Sequence, residues 1–215
     1  MSDPAAHARA YAALRLALAS GHYTPGQKVT LRATAEALGL SIMPVREAVR
    51  RLAAEGALEN ADRRSARVPA PDPQALLELR DIRMPLEGLA AQRAAERASP
   101  DLVAILEAAS LGIQAARARG DVADDVRRIH DFHFTLYRAS GMPVLVQMIE
   151  TLWLRTGPYV PLLFPDYSGR RAAGEGRAAL VAAVARRDGP GARALIEADI
   201  AAALNWMSAR LAAGR

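Results

Sequence analysis

Between residues 69 and 73 the chain reads Pro69-Ala70-Pro71-Asp72-Pro73. Neither an α-helix nor a ladder strand continues through alternating prolines, because each one fixes φ and removes a backbone donor. The segment divides the 215 residues into two pieces, each long enough to bury its own core. The expected organisation is a first domain over 1–69, a linker over 70–73 and a second domain over 74–215.

The two pieces differ in charge. Residues 1–70 carry 10 Lys and Arg against 6 Asp and Glu, whereas 18 face 17 in the remainder, so a polyanion is drawn to the first piece. Cysteine is absent, which excludes a disulfide framework, a thiolate zinc site and a Cys nucleophile, and suits a reducing interior. No signal-peptide pattern occurs, and charge breaks every long apolar segment before it could span a bilayer. No membrane partner and a cytoplasmic location are expected.

Helical spacing over Ala5–Ser20 places Tyr11, Leu14 and Leu18 on one stripe. After a turn at 21–26 and a short extended piece at Lys28-Val29, Thr30 is expected to cap a helix over Leu31–Leu38 that Gly39 ends. Ser41 should cap a second helix running to Glu55, with Pro44 tolerated in its first turn. On that helix Val45, Ala48, Val49 and Leu52 form an apolar stripe, while Ile42, Met43, Arg46 and Arg50 lie on the other side. Ala57–Glu59 and Ala66–Val68 read as paired strands with a basic tip over Asn60–Ser65. Two short helices followed by a basic hairpin are the parts of a winged helix-turn-helix, whose second helix enters the major groove of DNA.

The same stretch resembles the GntR family through its Pro25-Gly26 turn, Ala35-Glu36-Ala37-Leu38-Gly39-Leu40-Ser41, Pro44-Val45-Arg46-Glu47-Ala48-Val49-Arg50-Arg51-Leu52 and Glu55-Gly56-Ala57-Leu58. By that resemblance, Arg32 and Arg46 fall where the family places DNA-contacting arginines. Where the family usually has Ser-Arg-Thr-Pro, this sequence has Ser41-Ile42-Met43-Pro44, so an apolar side chain replaces an arginine able to read guanine. The wing keeps Arg63, Arg64 and Arg67, for which a minor-groove contact and a flexible loop that touches phosphate alone, or nothing, both stay open.

Beyond the prolines the pattern is helical, with segments at Gln74–Arg97 (kinked at Pro85), Asp101–Arg119, Val122–Ser140, Val144–Thr156, Arg170–Arg187 and Ala192–Ala212, and a loop over Gly157–Gly169. Arg83-Met84-Pro85-Leu86-Glu87, Ala94-Ala95-Glu96-Arg97 and Phe132-His133 with Leu136 resemble the effector-binding domain of the FadR subgroup. The resemblance implies an antiparallel helical bundle that dimerises and encloses a polar pocket, often with a divalent metal. Of that metal pattern His133 fits the first histidine, but Ile129 stands one turn before it, Gly176 at the second histidine and Asp199 at the third. Such metals want three or four protein ligands, so no cofactor is expected; a bound metal would have to use His130, His133 and Asp199.

Periodicity puts Val122, Val126, Ile129, His133 and Leu136 on one interior stripe and Leu195, Asp199, Ala203 and Trp206 on another. A buried His and Asp need partners. Either they bond each other, or with Arg83 they bind a small polar effector; Arg83 could instead form a helix-surface pair with Glu87.

The expected fold is mainly α, a winged helix-turn-helix with a small β wing followed by an all-α antiparallel bundle. The expected function is a homodimeric, sequence-specific transcription regulator on operator DNA, a repressor released by a small organic or sugar acid. The rival within the DNA-binding class is a constitutive dimer whose helical half binds no ligand. An enzyme is not expected: no phosphate-binding loop, His-Glu-x-x-His or Gly-x-Ser-x-Gly occurs, and Gly174-x-Gly176-x-x-Ala179 follows no strand.

Overall fold

The computed structural model describes residues 3–164, 166 and 171–213. It divides into two compact units, Met1–Pro71 with Trp153–Tyr159, and Asp72–Leu152 with Val160–Arg215.

The first unit contains α1 (Pro4–Ala19), β1 (Lys28–Thr30), α2 (Leu31–Leu38), α3 (Ile42–Ala54), β2 (Glu59–Asp62) and β3 (Ser65–Arg67). Asp3 starts α1 by accepting the Ala5 N–H at 2.9 Å. α1 packs on α3, and Leu14, Leu18, Val45, Ala48, Val49 and Leu52 are buried between them; each large apolar side chain stabilises by about 1.5–3 kcal/mol. The α3 stripe is the one that periodicity anticipates. Between α2 and α3 the chain turns at Gly39, whose φ of 62° is a left-handed state that a Cβ would strain. Thr30 and Ser41 occupy the N-cap positions, but neither makes a side-chain cap bond.

The wing departs from the expected strands. β1, β3 and β2 form an antiparallel sheet in that order, with Val29 opposite Ala66 and Glu59 opposite Arg67. The strand expected from Ala57 starts at Glu59, because the Ala57 and Leu58 N–H groups both donate to the Leu52 carbonyl and their side chains enter the core. Donors spent on ending a helix are unavailable to a ladder. The partner strand ends at Arg67, since the Val68 N–H still reaches Gln27 but the Gln27 N–H is spent on the Thr24 carbonyl and returns no bond; Arg63 and Arg64 stand at the turn.

Trp153–Tyr159 belongs to this unit as well. A Cβ on Gly157 would lie 2.4 Å from the Ala19 carbonyl oxygen and 2.5 Å from that of Leu18, so only glycine allows this backbone approach. Tyr159 Oη donates to the Pro69 carbonyl at 3.3 Å.

The second unit is built from α4 (Pro73–Glu96), α5 (Pro100–Ala118), α6 (Val122–Ala139), α7 (Pro143–Thr156) as far as Leu152, α8 (Arg171–Ala185) and α9 (Gly189–Ala213). Asp72 and Pro73, read from sequence as linker, begin α4: Asp72 accepts the Gln74 and Ala75 N–H groups and Pro73 takes the first helical position, where its missing donor is harmless. α4 stays helical through Pro85. It packs along α9 through the buried small residues Ala90, Ala91, Ala94 and Ala95.

The loop expected over 157–169 opens as a 3-10 helix, Gly157–Leu163; Pro165 and Tyr167–Arg170 of that loop, with the expected start of the next helix at Arg170, lie outside the described residues. On α9 the buried stripe is Ala192, Ile196, Ile200, Leu204 and Met207, while the expected Leu195, Asp199, Ala203 and Trp206 are only half-buried. The period is right and the phase is not, because apolar residues occupy nearly every side of this alanine-rich helix. On α6, Val126, His133 and Leu136 are buried as expected, but Val122 is exposed and Ile129 half-buried. Among the described residues no helix is long and apolar enough to cross a membrane.

Candidate functional site

In the first unit a groove of about 880 Å³ opens between the start of α3 and the wing, lined by Lys28, Arg32, Arg46, Arg63 and Arg64 with Asp62 as the single carboxylate. Arg32, Arg46, Arg63 and Arg64 are exposed and make no side-chain hydrogen bond or ion pair with any described residue. Asp62 serves the turn: it accepts the Arg64 N–H at 2.6 Å and the Lys28 ammonium at 3.0 Å. That backbone donor first, and Lys28 after it, hold its carboxyl at about 2. The turn of the wing therefore keeps Arg63 and Arg64 without a partner among the described residues, and the field over the groove is positive.

Ile42 lines the same groove. It is 44% exposed and its neighbour Met43 63%, so two apolar side chains stand in water at the start of α3. Ser41 is exposed beside them. Arg50 lies on the outer face but is engaged by Glu47 at 2.5 and 3.1 Å, and Arg67 donates to the Gly26 carbonyl at 2.8 Å; neither lines the groove.

In the second unit the structure brings together a network that sequence reading identified only in part. Arg83 donates to Glu87 at 2.5 and 3.3 Å, and both are buried rather than on a helix surface. Tyr137 Oη donates at 2.6 Å to Glu87 Oε2, the oxygen that Arg83 Nη2 also reaches, and His133 Nδ1 lies 3.0 Å from that hydroxyl. Tyr137 has one proton and gives it to Glu87, so it accepts from His133 Nδ1–H, and His133 Nε2 carries the lone pair. Burial pulls the Arg83 pKa down, but the Glu87 charge and hydrogen bond outweigh it and the net shift is upward. Burial, joined by Glu87, pushes Tyr137 well up. Burial also lowers His133 to about 4, with Asp199 opposing and Arg83 and Arg177 reinforcing the shift.

His133 Nε2 and Asp199 Oδ2 stand 3.9 Å apart, too far for the direct hydrogen bond weighed from sequence. Tyr137 and Glu87 were absent from the expected site. Their signal was the i, i+4 spacing from His133 and Arg83, which marks a shared helix face without saying that it is interior.

His130, the third ligand suggested for a metal, approaches Asp131 at 3.3 Å and stacks on Phe134. Among the described residues no three His, Cys, Asp or Glu side chains converge on a point that could hold a metal ion. The residues do not fit the family's metal.

Comparison with known proteins places both units. The model of the bacterial regulatory proteins of the gntR family matches residues 6–68, and that of the FCD domain matches residues 78–202. The HTH-type transcriptional regulator McbR of Escherichia coli K12 is 36% identical over 151 residues, 70% of this chain and 68% of that protein. An HTH-type transcriptional regulator from the TAR-I ttuE-ttuC' intergenic region of Agrobacterium vitis is 32% identical over 135 residues, 61% of this chain and 79% of that protein. The solved structure of E. coli McbR/YncC superposes with a TM-score of 0.83 at 31% identity, covering 99% of this chain and 97% of that one. With its helix-turn-helix and its helical unit both matched, this chain belongs to the GntR family of bacterial regulatory proteins: it is an HTH-type transcriptional regulator with an FCD domain, binds DNA through the helix-turn-helix, and is not an enzyme.

Proposed function

We propose that the chain is an operator-specific repressor, acting as a cytoplasmic homodimer and released from DNA by a small organic or sugar acid. Residues 1–69 carry DNA binding, 74–215 carry effector binding and dimerisation, and 70–73 join them. The observation that carries this reading is the groove, where five cationic side chains face one carboxylate beside the start of the recognition helix. A homodimer follows because helix-turn-helix proteins present two recognition helices to a roughly palindromic site.

In this reading Arg46 contacts a base edge, while Arg32, Arg63 and Arg64 neutralise phosphates. Ser41 and the first backbone donors of α3 take a further phosphate. Arg50 and Arg67 join only by leaving Glu47 and the Gly26 carbonyl. Ile42 and Met43 cannot donate a hydrogen bond to guanine and are suited to the methyl group of thymine. The effector meets polar side chains of the helical unit, the buried Arg83 and His133 and the half-buried Asp199 among them.

Selection of sites from random DNA at one ionic strength tests the DNA half. Arg46→Ala should weaken binding by about 1–3 kcal/mol, and Ile42→Arg should introduce guanine at one symmetric pair of operator positions. Identical preferences for wild type and Ile42→Arg would refute the apolar reading, and undiminished binding by Arg46→Ala would remove that residue from the contact set.

A further inference from the structure

Buried polar atoms in folded proteins are hydrogen-bonded, and one left without a partner costs its full desolvation. Three arginines of the helical unit test that rule. Arg83 lays its Nε and Nη2 edge on Glu87, and Arg117 lays the same edge on Asp125 at 2.8 and 3.2 Å. Arg177, on α8, is half-buried as a residue, but its Nε and Nη2 are sealed from solvent and neither has a hydrogen-bond partner among the described residues. This is the edge that grips a carboxylate with two parallel N–H groups, and here no carboxylate of a described residue bonds to it.

The surroundings do not relieve the charge. Burial disfavours it and Arg117 repels it, while Asp199 and Asp125 attract it without bonding. Asp125 is already committed to Arg117. Water could satisfy the two donors but would bring no counter-charge to them. Asp199, on α9, which packs against α8, accepts no hydrogen bond from any described residue. Across from it, at 3.9 Å, stands His133 Nε2, also an acceptor by the proton assignment above. Two acceptors facing each other are complementary to a donor.

We propose that Arg177 and Asp199 are the two poles of a metal-independent site for a small carboxylic acid that also carries a hydrogen-bond donor, an ammonium or a hydroxyl. The carboxylate seats on Arg177 Nε and Nη2, and the donor meets Asp199 with His133 Nε2. The proposal rests on the effector-sensing reading above and changes its residues: Arg83 is neutralised by Glu87, and the charge that meets the ligand is Arg177.

The full-length protein, stripped with EDTA, is titrated calorimetrically with C3 and C6 2-amino acids, 2-hydroxy acids, the plain carboxylic acids and the carboxamides of the first two. Acids bearing a donor should bind with chelator present, the plain acids more weakly, and the carboxamides not at all; the amino and hydroxy arms identify the donor. Arg177→Gln should weaken binding about tenfold or more, as expected for a lost charge-assisted pair. Arg177→Met, without ligand, should melt at or above the wild-type temperature, since it removes two sealed donors that lack a partner. Undiminished binding by Arg177→Gln, binding that requires metal, no binding by any probe, or a lower melting temperature for Arg177→Met would each overturn the proposal. Release from operator DNA is measured in parallel. Binding at Arg177 that leaves DNA affinity unchanged would sink the sensing reading and keep the site, whereas release unaffected by Arg177→Gln would do the reverse.

Discussion

The arginines of the groove beside α3 and those of the helical unit are the same side chain in opposite circumstances. Arg32, Arg46, Arg63 and Arg64 stand in water without a partner, whereas Arg83 and Arg117 each carry a carboxylate of their own. Solvation accounts for the difference. An exposed guanidinium is stable alone and remains available to a polyanion, but a buried one must bring its counterion or lose more than folding can supply. A charge without a partner is therefore unremarkable in the groove and informative in the helical unit, which is why Arg177 rather than Arg83 points to a ligand.

The largest effect should come from breaking an interior pair. Glu87→Ala leaves Arg83 uncompensated and should destabilise the protein by about 3–5 kcal/mol in urea denaturation; Glu87→Leu combined with Arg83→Met should recover most of that loss. If the single change costs no more than an exposed pair does, the contrast between the two regions fails.

Protonation gives the next effect. His133 titrates near 4 in the folded chain against about 6.5 unfolded, so the unfolded chain binds more protons between these values. Stability should fall as pH drops from about 6.5 to about 4, by about 3 kcal/mol from this residue. Burial lowers His130 in the same direction, so the measurement is the difference in slope between wild type and His133→Gln. Equal slopes would show that His133 is not buried neutral.

The smallest effect belongs to the groove. Arg63→Ala should leave the melting temperature unchanged and reduce the slope of log affinity against log salt by about one. Arg50→Ala should change the slope less, because Glu47 already offsets that charge. Equal changes for the two would mean that the pairing does not survive on DNA.

Legibility in the sequence followed the range of the interactions involved. α2, Gly39 and α3 could be read because helix termination and an apolar stripe are set within a few residues. The start of β2 could not, because the fate of the Ala57 and Leu58 donors depends on how α3 ends. The phase of the α9 stripe was hidden by its alanines, and the network of Arg83, Glu87, Tyr137 and His133 joins two helices 50 residues apart in sequence. Nothing local distinguishes Arg177 from any other helix arginine.

What the sequence by itself determined is the division at the prolines, the helix-turn-helix and the outward side of its second helix, all of which follow from φ restrictions, backbone donors and helical period. Tertiary structure alone decided that Trp153–Tyr159 joins the first unit, where Gly157 meets the end of α1, and which charges have partners. Both depend on desolvation, and a side chain's desolvation is set by the elements packed around it, which no window of neighbouring residues contains.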